Sequence, residues 1–299
     1  MLDYRSVAAV AAVVREGTFE RAASTLGITP SAVSQRVRGL EERLGAILIN
    51  RGPPCIATDL GRKLCAHFDR VKLLEHDLDP ALGQGARPKG IVPTLTVAVN
   101  ADSLATWFHG AAAAFGRQGD MSLDLKLDDE AHTADRLRSG EVLAAVSANP
   151  EPVPGCRTIE LGSMRYAAFS SPEFLTQHFG KGISKDSLAR APYLRFDRRD
   201  YLQDRWAREA YQTDLAAPVH WVPSTHGFLD FTLAGLGWGL HPLLIAQSHK
   251  DAGRLVELPP CWPIDVKLYW TVARLHAGTL SKLTEAVRAV AARDLVRCL

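Results

Sequence analysis

The chain has 299 residues, 46% of them hydrophobic and 23% charged, with a formal net charge of +2. That length suits two or three domains better than one, and the apolar share is ample for a core. The balance is too near neutral for electrostatics alone to announce a nucleic-acid binder, and no stretch is long and apolar enough to span a membrane.

The opening run MLDYRSVAAVAAVV has no basic lead and no small-residue cleavage site. It reads as the first helix of an N-terminal domain rather than a signal peptide, which places the chain in the cytoplasm. Thr18 to Leu44 then reads as two short helices around a tight turn. Thr18 caps the first, Ala22, Ala23 and Leu26 form its apolar face, and Gly27 breaks it. Thr29 caps the second, with Pro30 at the first helical position. Val33, Val37, Leu40 and Leu44 recur at helical spacing and are expected to face a core. The opposite stripe carries Ser31, Ser34, Gln35 and Arg38, with Arg36 beside it. Short or fork-shaped hydrogen-bonders of this kind suit base edges and phosphates in a major groove. An ordinary hairpin with a solvated polar face has the same periodicity, so the pattern alone leaves both readings open.

After Gly45, Arg51 and the rigid Pro53-Pro54 pair lie in a loop that could reach a flanking groove as a wing. Between Ser31 and Lys63 the bases Arg36, Arg38, Arg43, Arg51, Arg62 and Lys63 outnumber the acids Glu41, Glu42 and Asp59. This is the local basic face that phosphate contact needs. Thr58 caps a long helix on which Leu60, Leu64, Phe68, Val71, Leu74 and Leu78 form one stripe. A partner helix is one cover for it and the chain's own first helix is another. Asp79-Pro80 and GQGARPKGIVP end the helix in a linker. The expected domains are 1–58, a helix and hinge over 59–90, and 91–299.

From Thr94 the pattern alternates: strand LTVAVN, helix from Ser103 to Phe115, strand LDLKLDD, helix near Thr133–Ser139, strand VLAAVSA. This predicts a parallel, doubly wound sheet. RYAAFSS reads as a crossover strand into a second subdomain with strands in PYLRFD, VHWVPS and WGLHP and helices near Arg199–Gln212 and Thr225–Ala234. DVKLYWTVAR reads as the return strand and Thr279–Leu295 as the closing helix. The fold class is therefore α/β with an all-α N-terminal unit. The α/β part is a two-subdomain clamp of the periplasmic-binding-protein kind, subdomain I spanning 91–164 and 272–299 and subdomain II 165–271.

Ligands of open α/β sheets sit beyond the carboxyl ends of strands. Asn100, Asp102 and Ser103 lie at such a place, where Ser103 and nearby amides could hold a carboxylate, or Asp102 and Ser103 could merely cap the helix. Asp128, Asp129 and Glu130 end the second strand and could hold a cationic group, although such a run is also a common solvated turn. Ser147 ends the third strand, and Thr225 could face Ser103 across the cleft. Trp107, Trp238 and Trp270 are candidates for the cleft or for the core. The five cysteines, Cys55, Cys65, Cys156, Cys261 and Cys298, and the ten histidines show no paired spacing, so no disulfide framework, metal or cofactor is expected. An enzyme on a binding-protein fold lacks support: there is no G-x-S-x-G elbow and no phosphate-binding G-x-x-x-x-G-K-[ST].

AASTLGITPSAVSQRVRGLEERLG, with LINR followed by Thr58 and Gly61, resembles the helix-turn-helix and wing of LysR-type transcriptional regulators. VAVNADSLATWF, RLRSGEVLAAVS, PVPGCR, LGSMRYAAFSS, AGLGWGLHP and LYW resemble the lysine- and arginine-responsive ArgP/LysG group of that type. The resemblance covers the whole chain. It implies a winged helix-turn-helix reading double-stranded operator DNA and a basic amino acid effector. It further implies a target gene for export or metabolism of that amino acid, a homodimer through the Thr58–Leu78 helix, a tetramer of two dimers, and RNA polymerase as a candidate partner. RFDRRDYLQDRW departs from the group: Arg195, Arg198 and Arg199 would favour an acidic ligand if they border the cleft. An architectural DNA binder without inducer is the competing class, but it would have no use for a cleft.

Overall fold

The computed structural model describes residues 2–82, 93–117, 121–127 and 130–297, with backbone alone for 77–82, 130 and 131. Local sequence signals set the first three helices. Helix α1 (Tyr4–Glu16) starts at Asp3, whose carboxylate accepts from Arg5 N–H. Helix α2 (Phe19–Leu26) starts at Thr18, whose hydroxyl accepts from Arg21 N–H, and ends at left-handed Gly27. Helix α3 (Pro30–Leu44) starts at Thr29, accepting from Ala32 N–H, with Pro30 where a missing N–H costs nothing. Val7, Val10 and Val13 of α1 close a core with Ala22, Ala23, Val33, Val37 and Leu40. Leu44 departs from expectation. It is 40% exposed, because the last turn of α3 runs past this core.

Strands β1 (Ile49–Asn50) and β2 (Ile56–Ala57) pair antiparallel as a small wing. Glu41 of α3 holds its base by accepting from Leu48 N–H at 2.8 Å and Ile49 N–H at 3.3 Å. Helix α4 (Asp59–Leu82) follows. The Thr58 hydroxyl donates to Ile47 O at 2.8 Å and accepts from Gly61 N–H at 3.2 Å, so it caps α4 and ties it to the wing. A Cβ on Gly61 would lie 2.1 Å from Leu48 O, so only glycine lets α4 pass this close to the wing. Leu64 and Phe68 of α4 enter the N-terminal core, while Leu73 enters the core of the larger unit. One helix thus packs into both cores.

The larger unit begins with β3 (Thr94–Val99), α5 (Ala101–Ala105), α6 (Phe108–Gly116), β4 (Ser122–Leu127), α7 (Glu130–Ser139) and β5 (Ala144–Ser147). Strand β3 lies parallel between β4 and β5, the expected β-α-β-α-β arrangement. The single helix expected over 103–115 is two, α5 and α6. The chain breaks at Thr106–Trp107, where Trp107 turns into the core and is 1% exposed.

Strand β6 (Cys156–Ser170) is longer than the RYAAFSS signal. Subdomain II follows as α8 (Pro172–Phe179), α9 (Lys185–Leu188), β7 (Tyr193–Arg195), α10 (Leu202–Tyr211), β8 (Val219–Trp221), α11 (Thr225–Leu233), β9 (Gly239–Pro242), α12 (Leu243–Asp251) and β10 (Val256–Glu257). The return strand β11 (Ile264–Ala273) and helix α13 (Ser281–Asp294) complete the chain. Strand β11 pairs antiparallel with β6 along its length and then with β5. Strands β9 and β10 pair with the far end of β6, and β7 pairs in parallel with β8. The two long strands β6 and β11 therefore run through both subdomains and form their hinge.

Trp238 and Trp270 are both 0% exposed, so with Trp107 the three indoles build the core and not the cleft. Cys55 and Cys156 are buried, and burial pushes the Cys65 thiol up to about 11, which leaves little thiolate at neutral pH. Cys298 lies outside the described residues. Among the described residues no helix is long and apolar enough to cross a membrane, and no cluster of three metal-ligating side chains occurs.

Candidate functional site

Two surfaces carry the residues singled out from the sequence. On α3, Ser31, Gln35 and Arg38 are exposed along the side opposite Val33, Val37 and Leu40, and Ser34 and Arg36 are half-buried at its two flanks. Arg38 Nε reaches Glu42 Oε1 at 2.8 Å, one turn on. Arg51, in the wing loop, is exposed, with its guanidinium 5.3 Å from the Phe19 ring centre. The wing arginine is thus held against the start of α2 by ring and cation. This is an outward polar face on a helix whose other side is locked in a core.

The apolar stripe of α4 divides. Leu64 and Phe68 are each 8% exposed and already covered within the chain, and Val71 is half-buried. Leu74 is 40% and Leu60 38% exposed. The Leu78 side chain lies outside the described residues. Leu64 and Phe68 thus serve the chain's own α1, since the α4 face that meets α1 carries them one turn apart.

The second surface is a cleft of about 400 Å³ between the subdomains, within the range that holds small ligands. The start of α5 supplies Asn100 and Asp102. The hinge supplies Tyr166 and Val266, and subdomain II supplies Thr225, Phe228, His241 and the segment 196–202. Asp102 sits at the centre. Its Oδ2 accepts from the Tyr166 hydroxyl at 2.6 Å and its Oδ1 from the Thr225 hydroxyl at 2.7 Å. Burial raises the Asp102 carboxyl above the ordinary range, and these two donors partly oppose the shift. The Tyr166 phenol is driven far up by burial and by Asp102, so it stays a donor. Asn100 Oδ1 is buried and finds no donor among the described residues.

Ser103 and Ser147 do not line this cleft. Ser103 is 0% exposed and its hydroxyl makes no hydrogen bond among the described residues. One residue further along a helix turns the side chain by about 100°, so Asp102 faces the cleft and Ser103 the core. Ser147 is 6% exposed, and its neighbour Ala148 takes the wall position. A carboxylate seat on Ser103 is therefore not built. Helix α5 has only five residues, and the group presented there is itself an anion. Asp128 and Asp129 lie outside the described residues, as does the Glu130 side chain, while the preceding Leu127 lines the cleft.

The sequence reading overlooked the acids of RFDRRDYLQDRW. Asp197 and Asp200 line the cleft beside Arg199 and Arg205. Asp200 is half-buried and held by Phe196 N–H at 2.9 Å and Leu202 N–H at 3.1 Å. Burial raises its carboxyl, those donors and Gln203 oppose the rise, and the charge of Asp102 adds to it. Of the three arginines expected to favour an acidic ligand, two are turned away. Arg195 pairs with Asp204, and Arg198 lies 4.1 Å from the Trp221 ring centre. Arg199 stays at the mouth and reaches Asp197 at 3.4 Å. His241 is held neutral by burial, with its pKa down to about 3, and its Nε2 meets the Thr232 hydroxyl at 2.9 Å.

Residues 4–62 match the bacterial regulatory helix-turn-helix protein, lysR family, and residues 88–295 match the LysR substrate binding domain. The chain is similar to the HTH-type transcriptional regulator ArgP of Pseudomonas fluorescens, 43% identical over 99% of this chain and 98% of that one. It is also similar to the crystal structure of ArgP from Mycobacterium tuberculosis, with a TM-score of 0.78 and 39% identity over 100% of both chains. Full-length LysG from Corynebacterium glutamicum with bound effector Arg superposes with a TM-score of 0.66 at 36% identity, covering 99% of this chain and 100% of that one.

Proposed function

The chain belongs to the LysR family of DNA-binding transcriptional regulators, and we propose that its effector domain senses a free basic amino acid, lysine or arginine. The observation that carries this reading is the carboxylate of Asp102 in a 400 Å³ cleft between subdomains, set between donors from the hinge and from subdomain II. A half-buried carboxylate of raised pKa without a cation gains from a ligand that brings one. The Arg bound to the related LysG is a ligand of this class.

A cationic group of the effector approaches Asp102, beside Asn100 and Thr225, and the ligand so touches both subdomains. A ligand that bridges the lobes shifts the open–closed balance by its difference in affinity for the two states. On the DNA side, Gln35 and Arg38 read base edges, while Ser31, Ser34, Arg36 and Arg51 make phosphate or mixed contacts. Pairing of two copies through the outward side of α4, at Leu60, Val71 and Leu74, presents two such helices to an interrupted palindrome. A tetramer of two such dimers and contact with RNA polymerase complete the scheme, and the regulated gene serves export or metabolism of the effector.

Arg199 and Arg205 at the mouth favour a second reading, in which the ligand is acidic. Calorimetry of the full chain with lysine, arginine, glutamate and aspartate separates the two. Heat with the basic pair and none with the acidic pair supports the proposal, and the reverse pattern removes it.

A further inference from the structure

The cleft has a polarity that its central aspartate does not explain. The segment 196–202 between β7 and α10 brings Asp200 inward, half-buried, and leaves Arg199 exposed at the mouth. The segment is tied down on itself. Asp200 accepts from Phe196 N–H and Leu202 N–H, and Asp197 accepts from Arg199 N–H at 2.7 Å. The Tyr201 ring centre lies 5.7 Å from the Arg195 guanidinium, which is anchored in turn by Asp204. Asp102 and Asp200 therefore face one ligand space from opposite subdomains, each on a firm support.

An α-amino acid with a neutral side chain carries one cation and can satisfy one of these two carboxylates. The other stays half-buried without a counter-charge, a cost that disfavours the wrong ligand. A diamino acid carries two cations and one carboxylate, which complements the inner acids Asp102 and Asp200 and Arg199 at the mouth; of the other charges lining the cleft, Arg205 pairs with Glu209 at 2.7 Å and Asp197 with Arg199 at 3.4 Å. Resting on the basic amino acid reading above, we propose that segment 196–202 sets effector specificity. Asp200 takes the side-chain cation of the ligand, Asp102 takes its α-ammonium, and Arg199 takes its carboxylate. The departure that looked unfavourable to a cation when its arginines alone were counted becomes the part of the cleft that selects for one.

The test uses the full chain and three probes of one length: lysine, norleucine, which lacks the side-chain ammonium, and 1,5-diaminopentane, which lacks the carboxylate. Calorimetry gives the affinity of each for wild type, Asp200→Asn and Arg199→Gln. Wild type is expected to prefer lysine over norleucine by about 100-fold, and Asp200→Asn to shrink that preference at least about tenfold while norleucine affinity holds. Arg199→Gln is expected to weaken lysine at least about tenfold and leave 1,5-diaminopentane unchanged.

Wild type that binds lysine, with an Asp200→Asn variant that keeps the full preference, overturns the proposal and leaves the basic amino acid reading standing. Wild type that binds neither lysine nor arginine removes that reading itself. Asparagine retains one acceptor oxygen for the segment's backbone N–H groups, and the unliganded melting temperature reports whether the segment is intact. If the variant does not fold, the Arg199→Gln arm decides, and equal weakening of lysine and 1,5-diaminopentane overturns the assignment.

Discussion

Thr225 and Asp102 meet across the cleft: the Thr225 hydroxyl of subdomain II donates to Asp102 Oδ1 of subdomain I at 2.7 Å. The other oxygen of the same carboxylate accepts from Tyr166 on a hinge strand. Under the proposed function, charge recognition and lobe closure share this one group. Anything that changes the demand of Asp102 for donors changes the contact between the lobes.

Burial raises the Asp102 pKa, so the folded state holds this proton to a higher pH than the unfolded chain does. From the ordinary value of 3.8 up to the raised folded value, the native state binds more protons, and stability falls as pH rises. Above the raised value the loss is complete. A cationic effector favours the ionised form, so lysine affinity is expected to increase with pH across the same window. Asp102→Asn should abolish lysine binding and hold or raise the melting temperature above that window. Thermal shift against pH, with and without lysine, checks both. Asp200 contributes a shift of the same sign and should leave a residual slope in the variant.

Gly61→Ala should destabilise the N-terminal unit by about 1–3 kcal/mol or more, because the new Cβ meets a backbone oxygen that cannot rotate away. The contact is to Leu48 O at 2.1 Å, in the chain that leads into the wing. The expected readout is a lower melting temperature together with weaker operator binding. An unchanged melting temperature would show that α4 can slide off the wing at no cost.

Leu64→Ala and Leu74→Asp should separate folding from pairing. Leu64 is 8% exposed in the N-terminal core, so its truncation should cost about 2–5 kcal/mol of stability. Leu74 is 40% exposed, so a charge there should leave the single chain folded and reduce self-association seen by light scattering. If Leu74→Asp stayed associated and still footprinted two half-sites, pairing would run through another surface.

Gln35→Ala should cost about 1–3 kcal/mol on the cognate operator and relax its sequence preference. Arg51→Ala should weaken cognate and random DNA alike and flatten the salt dependence, because the exposed guanidinium beside Phe19 is proposed to meet phosphate. Titrations at several salt concentrations distinguish the two effects.

The N-terminal unit was nearly complete in the sequence because its signals are local. Thr18, Thr29 and Thr58 cap the helices they precede, and Gly27 and Gly45 end α2 and α3. Hydrophobic periodicity located the strands β3, β4 and β5 and their parallel pairing for the same reason. Caps and periods are read within a few residues, and the fold obeys them wherever packing does not intervene. The failures are those of facing and partnership. Ser103 and Asp102 are neighbours in sequence, yet one is buried in the core and the other lies at the centre of the cleft. Leu64 and Leu74 share a stripe, yet the first is covered by α1 and the second is bare. Asp200 stood among arginines in the sequence, and only the fold turns Arg195 and Arg198 away from the cleft onto Asp204 and Trp221 while Asp200 lines it with Asp102. Helical caps and alternation are properties of adjacent residues, so the chain itself determined its elements and their order. Which side of each element meets solvent, ligand or core depends on chains of contact between residues far apart in sequence, and that was decided only by the tertiary structure.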